Sequence, residues 1–282
     1  MLFDLQSPRR RRVVRVVFGG LAAVFAISFV ALGVGTGGSG FSLSDLFGGG
    51  GSSSSSAFDG QISAAEKALA ANPNDTAAMA QLVQFHYSAA IQDVDSNGQL
   101  NSDGQQHLRE GADAWNKYVK AANGNVTSTA ALYALQTFDQ LGNVDFQKAR
   151  TDTSASEALS DVSAAVGDWK TAAAAQQILI RMQPKKATAN SYARLASYLY
   201  LSGQTQAGNQ AVAQAKAKGG GGGIESQLKP IQQLGQQLQT AIAQLAKQQR
   251  KTPGAAGGGG NPLGGLSGGG LSGGGTSGFG GQ

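Results

Sequence analysis

The residues best suited to acid–base or metal chemistry are the only two histidines of the chain, His86 and His107. Neither lies in an H-E-x-x-H motif, a catalytic triad signature or beside a carboxylate at recognisable ligand spacing. The chain has no cysteine, which excludes disulfides, thiolate metal ligands and cysteine nucleophiles. His86 lies in an apolar segment, where a helix-packing role is expected. We therefore predict no catalytic residue, no cofactor and no metal.

One glycine motif of the chain resembles a phosphate-binding site. Gly35-x-Gly37-x-x-Gly40 formally matches the dinucleotide fingerprint, but an apolar segment precedes it and a serine tract follows, instead of a strand and a helix. The chain contains no P-loop and no G-x-S-x-G elbow. These patterns favour a protein that is not an enzyme and has no small-molecule substrate.

A polar segment resembles the start of an EF-hand calcium loop. Asp93, Asp95 and Asn97 stand at positions 1, 3 and 5, and Gly98 stands at position 6. Position 12 is Gly104 instead of a bidentate carboxylate. The same residues are typical of a polar hairpin loop. We favour the hairpin loop, and calcium binding remains the alternative.

An apolar segment at 16–34 follows five arginines and contains no charge. As a helix its 19 residues would extend about 28 Å, close to the thickness of a bilayer core. The positive-inside rule predicts that residues 1–15 are cytoplasmic and that the rest of the chain lies outside the cytoplasmic membrane. A cleaved secretory signal is the alternative interpretation.

Charge and glycine content divide the remainder of the chain. Residues 57–213 carry 11 basic and 14 acidic side chains, which gives no basic surplus to bind nucleic acid. Glycine and serine predict a flexible tether at 35–56 and a linker at 218–224. The tail at 253–282 is too rich in glycine to bury a core, and we expect it to be disordered.

Residues 57–217 have apolar residues at spacings of three and four and no alternating β-branched run. The pattern predicts an all-α domain, with possible breaks at 151–154 and at Gly203. Asp75 is expected to cap a helix, and Ser102-x-x-Gln105 matches a capping box. The predicted helices cover 60–71, 76–90, 104–122, 128–141, 144–165, 169–182 and 187–216.

Three glycines, Gly142, Gly167 and Gly203, are interpreted as C-caps that end helices. Asp168 would then cap the helix that opens at Trp169. Aromatic residues at helical spacing are expected to fill the core and not to form a ligand cage. These residues are Trp115, Tyr118, Tyr133, Phe138 and Trp169.

A C-terminal amphipathic helix is predicted at 225–252. We favour a role as a cap over the preceding helices. The alternatives are pairing with a copy of itself or a partner, and contact of its basic residues with anionic lipid or cell-wall polymer. Its apolar residues are Leu228, Ile231, Leu234, Leu238, Ile242 and Leu245.

Residues 189–217 resemble the 34-residue tetratricopeptide unit at Tyr192, Leu195, Ala196, Leu199, Gly203 and Ala215. Partial units resemble it at 167–184, 128–142, 110–126, 76–90 and 59–75. With the arginine-rich start and the apolar segment, the chain resembles the membrane-anchored tetratricopeptide proteins of bacterial envelopes. The alternative is an ordinary helical bundle.

The resemblance implies a tetratricopeptide-like array of about three to four helical hairpins, a single transmembrane helix and a groove that binds a protein partner. The implied function is a protein–protein adaptor on the outer face of the cytoplasmic membrane. The alternative is an accessory protein that binds envelope polymer through the basic C-terminal helix and the Gly-rich tail. The groove residues implied are Gln84, Tyr87, Gln136, Asp139, Ser197 and Tyr200.

Overall fold

The computed structural model describes residues 56–96, 98–251 and Leu263. This part of the chain contains eight α-helices and no strand beyond an isolated bridge between Val94 and Leu100, so the predicted all-α class is confirmed for it. The helices are α1 (Ser56–Ala71), α2 (Thr76–Ala90), α3 (Ser102–Ala122), α4 (Ser128–Thr151), α5 (Ala155–Met182), α6 (Ala189–Leu201), α7 (Thr205–Ala217) and α8 (Gly223–Lys251).

Several predicted segments lie outside the described residues. They are the basic segment 1–15, the apolar segment 16–34, the tether up to residue 55 and all of the tail from 253 except Leu263. Among the helices that the structure describes, none combines the length and the apolar character needed to cross a bilayer.

Neighbouring helices pair into hairpins along the described chain. The pairs are α2 with α3, α4 with α5 and α6 with α7, while α1 packs on α2. Successive hairpins also contact each other, since α4 packs on α2 and α3, and α6 packs on α5. Hydrophobic side chains form one core cluster that runs from Ile62 to Leu245 and includes Leu263. The architecture is therefore an array of helical hairpins.

Several predicted helix ends are confirmed by their caps. The Asp75 carboxylate accepts hydrogen bonds from the backbone N–H groups of Ala77 and Ala78 at 2.9 and 3.0 Å, which satisfies donors at the start of α2. The break at 151–154 separates α4 from α5. Gly203 follows α6 with a φ of +78°, a conformation that glycine adopts without strain.

The N-cap of α3 differs from the predicted cap by one residue, and the helix begins at Ser102 and not at residue 104. Asn101, and not Ser102, is the N-cap, and its side-chain oxygen accepts from the Gly104 N–H at 2.9 Å. The capping box predicted from Ser102 and Gln105 is therefore wrong. The Gln105 amide instead donates to the Leu100 carbonyl at 3.2 Å.

The C-cap roles predicted for Gly142 and Gly167 are wrong, because both glycines lie inside continuous helices, α4 and α5. A Cβ at Gly142 would lie 2.5 Å from the indole nitrogen of Trp169, so this glycine makes room for a fully buried ring. Asp168 is likewise internal to α5 and is not an N-cap. Gly142 therefore reflects close packing and not a helix end, whereas nothing lies within 4 Å of the position of a Cβ at Gly167.

Helix α8 covers the last hairpin, as the capping interpretation predicts. It packs against α5, α6 and α7 and buries part of its apolar stripe. A Cβ at Gly235 would lie 2.0 Å from the carbonyl oxygen of Tyr200, so the two helices touch through backbone atoms. The helix begins at Gly223, which shortens the predicted glycine linker. The buried stripe consists of Leu228, Leu234, Leu238 and Leu245.

Candidate functional site

Four of the six predicted groove residues belong to α2 and α4, which pack on each other, and one of the four, Asp139, is buried. Tyr87 of α2 contacts Tyr133 of α4, with ring centroids 5.7 Å apart. Burial raises the pKa of Tyr87, and the nearby carboxylate of Asp139 raises it further. Gln84 and Gln136 are half-buried and lie one turn away from these rings on their own helices. Two helices from different hairpins therefore present aromatic rings and amides side by side.

Two exposed apolar side chains extend this surface. Ile91 follows Tyr87 by four residues at the end of α2 and is 50% exposed. Leu132 precedes Gln136 by four residues on α4 and is 42% exposed. We define the α2–α4 face as Gln84, Tyr87, Ile91, Leu132, Tyr133 and Gln136. Ile91 and Leu132 are not among the residues implied by the resemblance, although each is four residues from one of them, Tyr87 or Gln136.

The other two predicted groove residues, Ser197 and Tyr200, are buried in α6. The Ser197 hydroxyl donates to the Ala193 carbonyl at 3.1 Å, and the Tyr200 hydroxyl donates to the Asn209 side chain at 2.7 Å. The Tyr200 ring also packs on Gly208. Tyr200 therefore lies between α6, α7 and α8, Ser197 is buried on α6, and neither residue extends the α2–α4 face.

A separate polar cluster joins α2 to α3. His86 Nδ1 lies 3.3 Å from His107 Nδ1, and the Glu110 Oε2 atom lies 3.2 Å from the first nitrogen and 3.3 Å from the second. His107 and Glu110 are three residues apart on α3, so they share one face of the helix. The prediction that neither histidine has a nearby acidic partner is wrong. We call these three residues the histidine cluster.

Glycines on α3 allow the two helices of this hairpin to approach closely. A Cβ at Gly111 would lie 3.3 Å from the His86 Cβ, and a Cβ at Gly104 would lie 2.6 Å from the Asp93 carbonyl oxygen. Gly104, His107 and Gly111 follow each other at spacings of three and four, which places them on one stripe facing α2. The spacing of His107 and Glu110 along one helix is visible in the sequence. The position of His86 opposite them depends on how α2 packs against α3, which the sequence does not reveal.

Burial lowers the pKa of His86, the nearby Glu110 carboxylate opposes this shift, and His107 reinforces it. The neutral imidazole is therefore favoured at this position. On the other side of His107, the Asp93 Oδ2 atom lies 3.7 Å from Nε2. This carboxylate oxygen is buried and has no hydrogen-bond partner within the described residues. The arrangement is a His–His–Glu group with an outer carboxylate.

The loop between α2 and α3 has the geometry of a polar hairpin. The Asp95 carboxylate accepts from the Gln99 N–H at 2.9 Å, and the Asp93 carbonyl accepts from the Asn101 N–H at 3.0 Å. The side chain of Asp93, predicted as the first calcium ligand in the alternative interpretation, contacts His107. Asn97 lies outside the described residues.

A second group of charges joins three helices. The Arg109 guanidinium of α3 donates to the buried Asp145 carboxylate of α4 at 3.2 Å. Burial, together with the charge of Asp145 and a hydrogen bond to it, raises the pKa of Asp168 on α5 to about 7. Asp168 therefore titrates near neutral pH beside Asp145, and the Arg109 guanidinium opposes the rise in the pKa of Asp145.

The chain matches no protein-family model, no curated protein and no solved structure. The assignment of a function therefore depends on the geometry of the α2–α4 face, the histidine cluster and the carboxyl pair.

Proposed function

We propose that the helical-hairpin array is a tetratricopeptide-like scaffold that binds a protein partner on its α2–α4 face. The chain would be anchored by residues 16–34, with the array on the outer face of the cytoplasmic membrane. The observation that supports this proposal is the contact of Tyr87 with Tyr133, flanked by the amides of Gln84 and Gln136.

The chemistry of the α2–α4 face suits a peptide segment of a partner. Tyrosine is enriched at interface hot spots, because its rigid ring buries apolar area while its hydroxyl keeps a hydrogen bond. The side-chain amides of Gln84 and Gln136 can each donate and accept, so they can pair with backbone groups of a bound segment. Ile91 and Leu132 supply exposed apolar contacts at the edges. We therefore expect a partner segment with apolar side chains and an accessible backbone.

The hairpin array supports this proposal because stacked helical hairpins present a continuous surface from successive helices. Helix α8 buries its leucines on the last hairpin and so protects the C-terminal end of the array. The anchoring part of the proposal depends on the five arginines and the uncharged segment at 16–34. The array would then search for partners close to the bilayer.

Site-specific photocrosslinking in intact membranes tests the proposed face. A photoreactive residue would replace Gln84 or Gln136 in the full chain, and a control would carry it at Lys117, which is exposed on α3. We expect a discrete protein adduct from the two face positions and not from Lys117. The Tyr87→Ala variant should weaken that adduct at least tenfold. Equal adducts from all three positions, or no adduct from the face, would contradict the proposal.

A second candidate is supported by the exposure of Lys229 and Lys247 on α8, whose apolar side is covered by the array. These lysines could bind anionic envelope polymer together with the Gly-rich tail. Cosedimentation with cell-wall polymer distinguishes the candidates. Replacing both lysines by glutamine and removing residues 253–282 would abolish cosedimentation if polymer is the ligand, and would leave the crosslinks at Gln84 unchanged.

A further inference from the structure

We propose that His86, His107 and Glu110 bind one divalent transition-metal ion of the zinc type, which joins α2 to α3. This site goes beyond the scaffold function and does not depend on it. The three ligand atoms come from two helices of one hairpin, and all of them lie within 4.8 Å of one another.

The distances between the ligand atoms match those around a tetrahedral metal ion. The three atoms are separated by 3.2, 3.3 and 3.3 Å. A tetrahedron with metal–ligand bonds of about 2.0–2.1 Å has edges of about 3.3–3.4 Å. The histidine cluster therefore forms one triangular face of such a tetrahedron without any movement of the helices. The fourth vertex would be taken by water or by another oxygen ligand.

The chemical types of the ligands favour zinc over the hard cations. Two imidazole nitrogens and one carboxylate oxygen suit zinc and its neighbours among the transition metals, whereas calcium and magnesium prefer oxygen ligands alone. His86 and His107 are the only histidines in the whole sequence, and there is no cysteine. Any imidazole-based metal site within one copy of this chain must therefore use His86, His107 or both.

The residue next to the histidine cluster also fits a metal site. Metal-binding histidines usually donate their second ring N–H to a carboxylate, which fixes the tautomer. The Asp93 Oδ2 atom is buried, lies 3.7 Å from His107 Nε2 and has no hydrogen-bond partner in the described part of the chain. A proton on His107 Nε2 would face Asp93 and would leave the Nδ1 lone pair directed at the cluster.

The metal would act as a structural clamp on the hairpin with the long connection. α2 ends at Ala90 and α3 begins at Ser102, so the two helices are joined by an 11-residue loop. The ion would hold them together near the base of that loop. Tyr87 of the α2–α4 face directly follows His86, so the clamp would also fix the rotation of α2 that presents this ring.

Metal titration of the full-length protein in detergent tests the proposal. The protein must carry no histidine tag, because His86 and His107 are then the only imidazoles present. After treatment with a chelator, zinc affinity is measured by competition with a chromophoric chelator. We expect one zinc ion per chain and a raised thermal unfolding temperature. Cobalt(II) should give the intense visible absorption bands of a tetrahedral site.

Single substitutions assign the ligands. His107→Gln and Glu110→Gln should each lower zinc affinity at least about 100-fold, and Asp93→Asn should lower it about 10- to 100-fold through the outer carboxylate. Glu66→Gln, an exposed acid on α1, is the matched control and should leave the affinity unchanged. Glu110 is 41% exposed, so its replacement should preserve the fold, which far-ultraviolet circular dichroism checks.

Two outcomes would overturn the proposal. One is a wild-type chain that binds zinc no more tightly than His107→Gln. The other is tight binding that survives both His107→Gln and Glu110→Gln. Either result would leave the two imidazoles and the carboxylate as a polar packing group of the hairpin that holds no metal ion. The crosslinks at Gln84 and Gln136 are measured separately, so failure of the metal site is distinguishable from failure of the scaffold.

Discussion

The two ends of the array join their helices in opposite ways. Between α2 and α3 the contact is polar, since the side chains of His86, His107 and Glu110 lie within 3.3 Å of one another. The buried carboxylate of Asp93 lies on the other side of His107. Between α6 and α8 the contact is a backbone contact, since Gly235 packs directly against the carbonyl of Tyr200. The first contact can gain or lose a proton or an ion. The second is a packing contact whose strength does not depend on either.

The difference indicates which part of the molecule can respond to its surroundings. A packed apolar contact contributes through buried area and shape, and it loses stability steeply when atoms are added. A buried polar cluster contributes only while its groups satisfy one another. We therefore expect the stability of the α6–α8 contact to be independent of pH and bound ions. The stability of the α2–α3 contact is expected to depend on both. Four substitutions test this comparison.

The largest effect is expected at the packing contact. In Gly235→Ala the new Cβ would lie 2.0 Å from the Tyr200 carbonyl oxygen, a backbone atom that cannot rotate away. We expect the free energy of unfolding to fall by about 3 kcal/mol, near the upper end for overpacking. Chemical denaturation of the full chain measures it. Gly223→Ala, in the same helix with nothing within 4 Å, is the control and should change stability little.

The next effect is expected at the carboxyl pair between α4 and α5. Asp168 has a pKa of about 7 in the folded chain, above the value of about 3.9 in an unfolded chain. The folded state therefore binds more protons between these values, and the stability contributed by this group falls as pH rises from about 4 to about 7. Above pH 7 the full penalty of burying the charge is present.

Asp168→Asn removes this titration while keeping a group that can donate to Asp145. We expect the variant to match the wild type near pH 4 and to exceed its stability at pH 8 by on the order of 1–3 kcal/mol. Denaturation curves at the two pH values measure the difference. Glu157→Gln, an exposed acid on α5, is the control. An equal effect of Asp168→Asn at both pH values would contradict the assignment.

A smaller effect is expected where the polar hairpin packs most closely. In Gly104→Ala the Cβ would lie 2.6 Å from the Asp93 carbonyl and 3.0 Å from the Ala90 carbonyl. The start of α3 can shift to relieve this contact, and alanine favours the helix, so we expect a net loss of about 1–2 kcal/mol. Gly60→Ala on α1 has nothing within 4 Å and should not destabilise the chain. Equal stability of the two variants would show that α3 does not depend on this approach.

The periodicity of the sequence predicted most of the helices because it reflects local geometry. The Asp75 cap, the break at 151–154 and the end at Gly203 depend on residues close in sequence, and the structure confirms them. Trp115 and Trp169 were expected to fill the core, and both are buried. Local signals therefore predict these three boundaries and these two core residues.

Features that depend on packing between distant segments could not be predicted. The sequence around Gly142 predicts a helix end, but this glycine accommodates Trp169, which is 27 residues further along the chain. His86 and His107 meet only because α2 and α3 pair in one register across a long loop. Ser197 and Tyr200 were assigned to a groove, but α6 and the helices around it bury them. In each case the deciding contact is between helices.

The smallest effect is expected at a glycine that neither kind of contact uses. Gly167 lies inside α5, and nothing lies within 4 Å of the position of its Cβ. Gly167→Ala should therefore raise stability by about 0.5–1 kcal/mol through backbone entropy and helix propensity alone. Gly124→Ala is the contrasting variant, because Gly124 is equally open but has a φ of +91°, where alanine is strained. If Gly167→Ala raises stability and Gly124→Ala lowers it, backbone conformation determines the effect of alanine at positions where no helix packs. A loss of stability in Gly167→Ala would mean that another segment packs on that side of α5. The array would then contain a third kind of contact, besides the polar cluster and the glycine–backbone contact.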